Sequence, residues 1–449
     1  MAKKNDMTTA DRKGSLKSDS IPVARRRTEK PANTNQEDSK IVNLPTLPLR
    51  TIDLFCGAGG ITEGFRQAGY ISLYGNDVMS EAIETFKFNH PEAIADCRPI
   101  EEVDPSEIRT RLGLQPGELD VLVGGPPCQG FSINAPERFL NDPRNKLFKH
   151  YERFVEEFQP KTFLFENVPG LLSIGDGKVF RQIIKIFTSL GYKVTAKILF
   201  SAHYGVPQER WRLILLGSKL GEVSHPVPTH YALGRANFRG GNTMTFPLTD
   251  SDREKLLPAV TVSTAIGDLP RLQMGEGSEV IGYTTDAHSV YAEMIRNPAG
   301  VTFNHFAAKL SKQNAERMKY VKPGGSWRDI PHELLPKGMQ RARRSDHTKR
   351  YGRLHPDSLS GTVLTKCDPH WGTVFLPDQD RTLTVREAAR FQSFPDSYKF
   401  LGSRVSQYEQ VGNAVPVLMA KAIAVQLRSH LEQHAEDAQP KKAFSLQAA

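Results

Sequence analysis

Short apolar runs that alternate with helical patterns are the feature that most restricts the fold of this chain. The runs lie at residues 51–55, 119–123, 162–165 and 213–217. Each has the length and composition of a buried strand, and helical patterns such as residues 146–158 stand between them. This alternation over residues 48–218 predicts an α/β fold with a doubly wound, mostly parallel sheet and helices on both faces.

A proline-stiffened loop follows the second of these strands. Residues 124–132 read Gly-Gly-Pro-Pro-Cys-Gln-Gly-Phe-Ser and place Cys128 just beyond the carboxyl end of the strand. Open α/β sheets bind their ligands at that edge, and proline holds φ at about −65°. Because most free cysteines are small buried hydrophobes, Cys128 alone is as consistent with packing as with nucleophilic catalysis.

Other strand ends also carry polar residues or glycines. Glu166 follows the run at 162–165, and an extended segment would point Gln208, Arg210 and Arg212 to one face. The run at 51–55 leads into Cys-Gly-Ala-Gly-Gly, a turn that lets a cofactor approach the backbone closely. This turn lacks the third glycine of a dinucleotide fingerprint, which disfavours a nicotinamide cofactor.

Six sequence blocks, in this order, closely resemble those of the cytosine-C5 DNA methyltransferases. They are DLFCGAGG at 53–60, PPCQ at 126–129, ENV at 166–168, QxRxR at 208–212, RxLTVREAARFQSFPD at 381–396 and QVGNAVP at 410–416. The resemblance covers residues 48–428. It implies a Rossmann-like methyltransferase fold with a smaller, irregular target-recognition domain. The implied activity is site-specific methyl transfer from S-adenosylmethionine to C5 of a cytosine flipped out of duplex DNA.

The resemblance also assigns catalytic roles. Cytosine C5 is too weak a nucleophile to attack a methyl sulfonium, so Cys128 is expected to add to C6 as a thiolate and form an enamine. Glu166 would donate or share a proton at N3. Arg210 and Arg212 would hold the O2 edge of the ring and orient the other groups. A base must then remove the C5 proton, and the sequence does not identify it.

A second set of residues is expected to bind S-adenosylmethionine. These residues are Phe55, Gly57, Gly59, Gly60, Asp77, Asp96, Pro127 and Asn413. By resemblance Phe55 packs on the adenine, and Asp77, roughly 20 residues after the turn, binds the ribose hydroxyls. Asp96 would contact the adenine amino group. Val78 stands where the family often has an aromatic residue, which removes a stacking partner on that side.

The charge pattern favours a polyanionic partner. The chain has a formal net charge of +9, and its densest basic stretch is residues 337–353. The residues expected to contact double-stranded DNA are Gln129, Ser132, Arg144, Gln208, Arg341, Arg343, Arg344, Lys349 and Arg350. The basic residues could neutralise phosphates or read guanine edges, and a solvated charged loop is the alternative. Loops at 242–245, 324–327 and 370–372 are further candidates for base contact.

The expected domain organisation follows the same blocks. Residues 1–46 are a polar tail expected to be disordered, 48–218 form the catalytic and cofactor-binding domain, and 219–404 form the target-recognition domain. Residues 405–430 are a C-terminal helix that returns to the catalytic domain, and 431–449 form a second polar tail. Thr384-x-x-Glu387 is a capping box that opens a helix at 385–394.

Partners and location are expected as follows. The sequence has no run of about 18 apolar residues, so no membrane span is expected. Four cysteines without a Cys-x-x-Cys pair disfavour a zinc site and disulfides, and Cys56, Cys97 and Cys367 are interpreted as inert. We expect a monomer in the bacterial cytoplasm at the nucleoid, or in the nucleus if the chain is eukaryotic. A restriction endonuclease with the same recognition site is a candidate partner.

Two alternative functions stay open. A tRNA cytosine-C5 methyltransferase would share the fold, but such enzymes tend to carry a Cys-Phe-Thr tripeptide and a short recognition region, and neither is found here. A non-catalytic DNA-binding relative would typically have lost the cysteine, the glutamate or the glycine turn, and all three are present. The DNA sequence recognised is not readable from these residues.

Overall fold

The computed structural model describes residues 48–127, 146–234, 236, 238, 243–346 and 349–437. Four residues of the expected site, Cys128, Gln129, Ser132 and Arg144, lie outside these ranges. So do residues 1–47 and 438–449, which contain most of the two predicted tails, and Asn242 in one of the candidate loops.

A central sheet of seven strands is built from the first half of the described chain. Its strands are β1 (Leu49–Leu54), β2 (Tyr70–Asn76), β3 (Ile94–Asp96), β4 (Val121–Gly124), β5 (Thr162–Asn167), β6 (Lys193–Phe200) and β7 (Trp211–Ser218). Their order in the sheet is β3-β2-β1-β4-β5-β7-β6. β1 to β5 run parallel, whereas β7 is antiparallel to both of its neighbours. The predicted doubly wound, mostly parallel sheet is therefore confirmed.

Helices cover both faces of this sheet. They are α1 (Gly60–Gln67), α2 (Ser80–Asn89), α3 (Pro105–Arg111), α4 (Lys146–Phe158) and α5 (Lys178–Ser189). The inner strands β4, β5 and β7 are apolar on both faces, because alternate residues serve different cores. Leu122 joins the core under α4 and α5, while Val121 and Val123 join the core under α1.

The second half of the described chain has smaller elements. Its strands are β8 (His230–Tyr231), β9 (Leu257–Pro258), β10 (Gly277–Gly282), β11 (Val301–Phe306), β12 (Gly352–Arg353) and β13 (Thr373–Phe375). Its helices are α6 (Val262–Ile266), α7 (Val290–Ile295), α8 (Lys312–Tyr320), α9 (Val385–Phe391), α10 (Arg404–Asn413) and α11 (Val417–Asp437). The expected capping box opens α9, with Thr384 and Glu387 bonded to each other's backbone N–H. The helix ends at Phe391, three residues earlier than predicted.

The C-terminal helix α11 packs against α1. Gly64 of α1 makes this possible, because a Cβ at this position would lie 2.6 Å from the Ala420 Cβ. Of the described residues, the helical stretch 404–435 is long and apolar enough to cross a membrane by length and composition alone. However, 67% of its most apolar window is buried inside the protein, and core helices pass the same test.

Candidate active site

A cavity of about 800 Å³ opens at the carboxyl edge of the sheet. The expected site residues on its walls are Phe55, Gly57, Gly60, Asp77, Pro127, Glu166, Arg210, Arg212 and Asn413. The residues come from both halves of the described chain, because Asn413 ends α10 while the others lie in or beside the central sheet. The structure thus brings together most of the expected catalytic and cofactor residues that it describes.

The direction of β7 explains how the arginines reach this edge. Because β7 is antiparallel to β5, its amino end lies beside the carboxyl end of β5, and Glu166 pairs with Ile214. Arg212 is two residues before Ile214 and so lies on the same face of the sheet as Glu166. Its Nε lies 2.6 Å from Glu166 Oε1, and the two side chains are only 14% and 12% exposed.

The Gly-Pro-Pro loop after β4 lies against the same carboxylate. A Cβ at Gly125 would lie 2.7 Å from Glu166 Oε2, so only glycine fits without displacing the carboxylate. Asn167 Nδ2 donates to the Pro126 carbonyl at 3.1 Å and fixes the loop to the end of β5. Neither Gly125 nor Asn167 was predicted as a site residue from the sequence, although Gly125 directly precedes Pro126 and Asn167 directly follows Glu166.

Arg210 is almost fully buried and lines the cavity. Its Nη2 donates to the Gly412 carbonyl at 3.0 Å, and its Nε–H has no acceptor among the described residues. Burial, followed by the neighbouring Arg212 guanidinium, lowers the pKa of Arg210. A buried donor without a partner in a cavity wall is a suitable contact for a polar ligand atom.

The expectation that Gln208 contacts DNA is wrong, because this side chain is completely buried. Its Nε2 donates to the Phe391 carbonyl at 2.9 Å and to Gln392 Oε1 at 2.8 Å. Its Oε1 accepts from the Val363 N–H at 3.0 Å. Gln208 therefore joins the segment before β7 to the end of α9, and only Arg210 and Arg212 of the triplet face the cavity.

The glycine turn after β1 forms the other end of the cavity. Phe55 and Gly57 have positive φ values of 58° and 53°. A Cβ at Gly57 would meet no atom within 4 Å, so the backbone here is open to a ligand. The Gly57 N–H donates to Asp77 Oδ2 at 2.9 Å, and burial raises the pKa of Asp77. This hydrogen bond therefore fixes the position of the Asp77 carboxylate relative to the backbone of the turn.

Two of the expected cofactor residues do not reach the cavity wall. Gly59 faces the rear of the turn, where a Cβ would lie 2.7 Å from the Tyr398 hydroxyl. Asp96 accepts from Tyr74 Oη at 2.8 Å and from Arg98 Nη2 at 2.8 Å. The pKa of Asp96 is lowered overall. Burial acts to raise it, but the hydrogen bonds from Arg98 and Tyr74 outweigh burial.

Other residues take part in the wall near this end. Pro99, Ile100 and Glu101 follow β3 and line the cavity, and no motif in the sequence pointed to them. Val78 also lines the cavity and is 65% exposed. It stands where an aromatic residue was expected by resemblance, and it offers the cavity a smaller apolar surface.

Comparison with known proteins identifies the family of this chain. A model of C-5 cytosine-specific DNA methylases matches residues 49–429. The chain belongs to this methylase family. The type II methyltransferase M.AgeI of Thalassovita gelatinovora is 36% identical over 425 residues, which are 84% of this chain and 98% of that protein. The type II methyltransferase M1.HphI of Haemophilus parahaemolyticus is 35% identical over 381 residues, covering 84% and 86%.

A solved structure supports the fold of the methylase independently. It is a crystal structure described as a DNA modification methyltransferase encoded within an E. coli prophage. It aligns with a TM-score of 0.64 at 23% identity and covers 86% of this chain and 99% of that chain. At this identity the match establishes the fold alone.

The basic stretch of the methylase lies partly beside the cavity. Lys349 Nζ lies 3.3 Å from Glu209 Oε2, and the Glu209 carbonyl accepts from Thr362, which lines the cavity. The Arg350 guanidinium lies 4.8 Å from the ring centre of Trp371, which is 57% exposed. The half-buried Arg350, which follows Lys349 in the sequence, and the exposed Trp371 thus form a cation–π pair.

The other basic residues of this stretch differ in exposure. Arg341, Arg343 and Arg344 are exposed, and Arg344 Nη2 donates to the Arg328 carbonyl at 3.3 Å. Arg353, by contrast, is buried and donates to the carbonyls of Val321, Met318 and Leu376. Arg353 is therefore a core residue and is not available to DNA.

Within the described ranges, no group of three or more His, Cys, Asp or Glu residues is arranged to hold a metal ion.

Proposed function

We propose that this methylase transfers a methyl group from S-adenosylmethionine to C5 of a cytosine in duplex DNA, through a transient bond between Cys128 and C6. The observation that carries the proposal is a single cavity with two chemically different ends. One end has the Glu166–Arg212 ion pair and Arg210. The other end has the open glycine turn and Asp77, which accepts from the Gly57 N–H. Its volume of about 800 Å³ suits two small reactants lying side by side.

The residues of the glycine-turn end fit S-adenosylmethionine. The open backbone at Gly57 admits a close ligand, Asp77 offers a carboxylate, and Phe55, Val78 and Ile100 offer apolar surface. Asp96 has its carboxylate engaged elsewhere, so we do not retain it as a cofactor residue. When bound, S-adenosylmethionine supplies an electrophilic methyl group on a sulfonium.

The catalytic end activates the cytosine. The Cys128 thiolate would add to C6, and the electrons displaced towards N3 would be met by a proton shared with Glu166. Arg212 holds Glu166 in place, and the Arg210 guanidinium in the cavity wall would donate to the ring oxygen O2. After C5 has been methylated, a base takes its proton, the C5–C6 double bond reforms, and Cys128 leaves as thiolate.

Duplex DNA is proposed as the substrate. The target cytosine must leave the base stack to reach the cavity. We propose that residues 219–404 recognise the target and that Lys349, Arg350 and Trp371 contact DNA beside the flipped base. The contact of Lys349 with Glu209, whose carbonyl accepts from the cavity residue Thr362, supports this assignment.

The cellular setting is proposed from the relatives. Because M.AgeI and M1.HphI are type II methyltransferases, we propose that this methylase acts as a monomer on DNA in the bacterial cytoplasm. A restriction endonuclease with the same recognition sequence is its proposed partner.

A covalent trap tests the proposal. Bisulfite sequencing of a plasmid that expresses the chain identifies the methylated sequence, and an oligonucleotide with 5-fluorocytosine at that position is incubated with the protein and S-adenosylmethionine. Fluorine cannot leave as a proton does, so a denaturant-resistant adduct at Cys128 is expected. Cys128→Ser should give no adduct and no methyl transfer while still binding the DNA, and the exposed Cys97→Ser should behave like the unaltered protein.

Two results would contradict the proposal. The first is the absence of an adduct on an oligonucleotide that carries the methylated site. The second is tritium incorporation into tRNA rather than duplex DNA when both are offered, which would favour a tRNA methyltransferase.

A further inference from the structure

Tyr398 contacts the glycine turn but does not line the cavity. It is 3% exposed, and its hydroxyl donates to the Ala58 carbonyl. Gly59, the next residue, has φ of 91° and leaves room for this hydroxyl, since a Cβ there would lie only 2.7 Å from it. Ala58 itself lines the cavity. One peptide of the turn thus borders the ligand space and also accepts from Tyr398.

His90 completes this contact. Its Nε2 lies 3.1 Å from the Tyr398 hydroxyl oxygen. A phenol has one hydrogen, and a carbonyl can only accept, so the Tyr398 hydrogen goes to Ala58 and His90 Nε2–H donates to Tyr398. Burial lowers the pKa of His90 to about 3 and raises that of Tyr398, so both groups are neutral at physiological pH. The hydrogen bonds therefore run in one direction, from His90 through Tyr398 to Ala58.

The residues after Tyr398 hold a second part of the cavity wall. Asn89 bonds to both the carbonyl and the N–H of Lys399, at 2.9 and 3.1 Å. The Leu401 N–H donates to Thr85 Oγ1 at 2.8 Å, and the Ser403 N–H donates to Glu81 Oε1 at 2.8 Å. All three partners lie on α2, which begins directly after the wall residues 77–79. The segment 398–403 therefore attaches to both elements that form this end of the cavity.

We propose that Tyr398 is a positioning residue for S-adenosylmethionine, although it does not line the cavity. By accepting from His90 and donating to Ala58, it fixes the peptide at 58–59 so that the cavity face of the turn is formed before the ligand arrives. This inference rests on the proposed function, because it concerns the same cofactor. Its effect is on cofactor affinity rather than on the chemistry at Cys128 and Glu166.

A matched pair of tyrosine variants tests the role. Tyr398→Phe removes only the hydroxyl that reaches the turn. Tyr408→Phe removes another buried hydroxyl. This hydroxyl donates to the Leu383 carbonyl, at a distance of 2.6 Å, and does not contact the glycine turn. Cofactor dissociation constants are measured by calorimetry with S-adenosylmethionine and the full chain, together with kcat at saturating cofactor and the melting temperature.

The expected result separates affinity from folding. Tyr398→Phe should weaken cofactor binding by roughly five- to tenfold, the effect of one lost hydrogen bond, with kcat changed less than about twofold. Both variants lose one buried hydrogen bond, so both should lower the melting temperature by a similar amount. Tyr408→Phe should leave the cofactor dissociation constant unchanged. Unaltered binding in Tyr398→Phe, or equal weakening in both variants, would overturn the positioning role.

A second pair of variants covers the case in which Tyr398→Phe does not fold. His90→Leu removes the donor to Tyr398, while His90→Gln keeps an N–H in its place. Weaker cofactor binding in His90→Leu that is partly restored in His90→Gln is expected, and equal binding by both would overturn the inference. If the unaltered chain binds no S-adenosylmethionine, the proposed function itself fails, and the role of Tyr398 falls with it.

Discussion

The Glu166 carboxylate and the Arg212 guanidinium meet at 2.6 Å across two antiparallel strands. The contact depends on β7 running against β5, since a parallel β7 would place Arg212 at the far edge of the sheet. Strand direction is therefore part of the proposed active site. Arg212 holds the Oε1 oxygen of Glu166, and the Oε2 oxygen of the same carboxylate lies beside the Gly-Pro-Pro loop.

Glu166→Gln should lower kcat by at least about a hundredfold, because an amide keeps the shape of the side chain but cannot share a proton with cytosine N3. Cofactor binding should be unchanged, since Asp77 and the glycine turn are untouched. Tritium transfer to duplex DNA measures kcat. Glu254→Gln is the control, because Glu254 is exposed and does not line the cavity; it should stay within about twofold. A Glu166→Gln variant with a tenth or more of normal kcat would refute this role.

Gly125→Ala should also reduce kcat strongly, because the new Cβ would lie 2.7 Å from Glu166 Oε2 and displace either the carboxylate or the loop. The control is Gly338→Ala, where a Cβ would meet no atom within 4 Å. Methylation rates and melting temperatures of both variants are compared. Equal rates in the two variants would show that the close approach at Gly125 has no catalytic importance.

The sequence predicted four of the seven strands of the central sheet and nine residues of the cavity wall, because buried strands carry a clear hydropathy signal and their ends collect polar residues. It did not predict the direction of β7, since an apolar run has the same pattern in either direction. Residues of the motifs that serve packing were also misjudged. Gln208 was expected at the DNA, yet it bonds to Phe391 and Val363, residues far away in the sequence that a local pattern does not reveal.

Charge misled in the same way. Arg353 ends the densest basic stretch, residues 337–353, but its guanidinium is buried against three backbone carbonyls. Asp96 is an acid at the end of a strand, yet Tyr74 and Arg98 occupy its oxygens. Composition indicates that a surface is basic or that a strand end is acidic, whereas only the packed structure decides which side chains remain free.

DNA binding should change the fluorescence of Trp371 more than that of the other tryptophans. The chain has three, of which Trp327 is 4% exposed and Trp211 is stacked on Phe200 at 4.2 Å. Titration with duplex DNA should quench the unaltered protein and Trp211→Phe, and the quench should be largely lost in Trp371→Phe. A full quench in Trp371→Phe would show that the Arg350–Trp371 pair lies away from the DNA.

The stability of the methylase should carry a pH dependence that comes from Asp53. This carboxyl is 1% exposed, accepts from Thr62 Oγ1 at 2.7 Å, and has no partner for Oδ1 among the described residues. Burial, reinforced by Asp77 and opposed by the Thr62 hydrogen bond, raises its pKa from 3.8 to about 7. The native state therefore binds this proton more tightly than the unfolded chain does.

The sign of the effect follows from this raised pKa. The stabilisation from the bound proton is fully present below about pH 4 and is lost progressively as the pH rises to about 7, with an upper limit of about 4 kcal/mol. Asp53→Asn removes this titrating group, so only the unaltered protein loses stability from it as the pH rises. The free energy of unfolding of the variant minus that of the unaltered protein should therefore rise between pH 5 and pH 8. Urea unfolding at several pH values measures the difference, with the exposed Glu254→Gln as the control for net charge. A difference that stays constant across this range would show that Asp53 titrates in the native protein as it does in the unfolded chain.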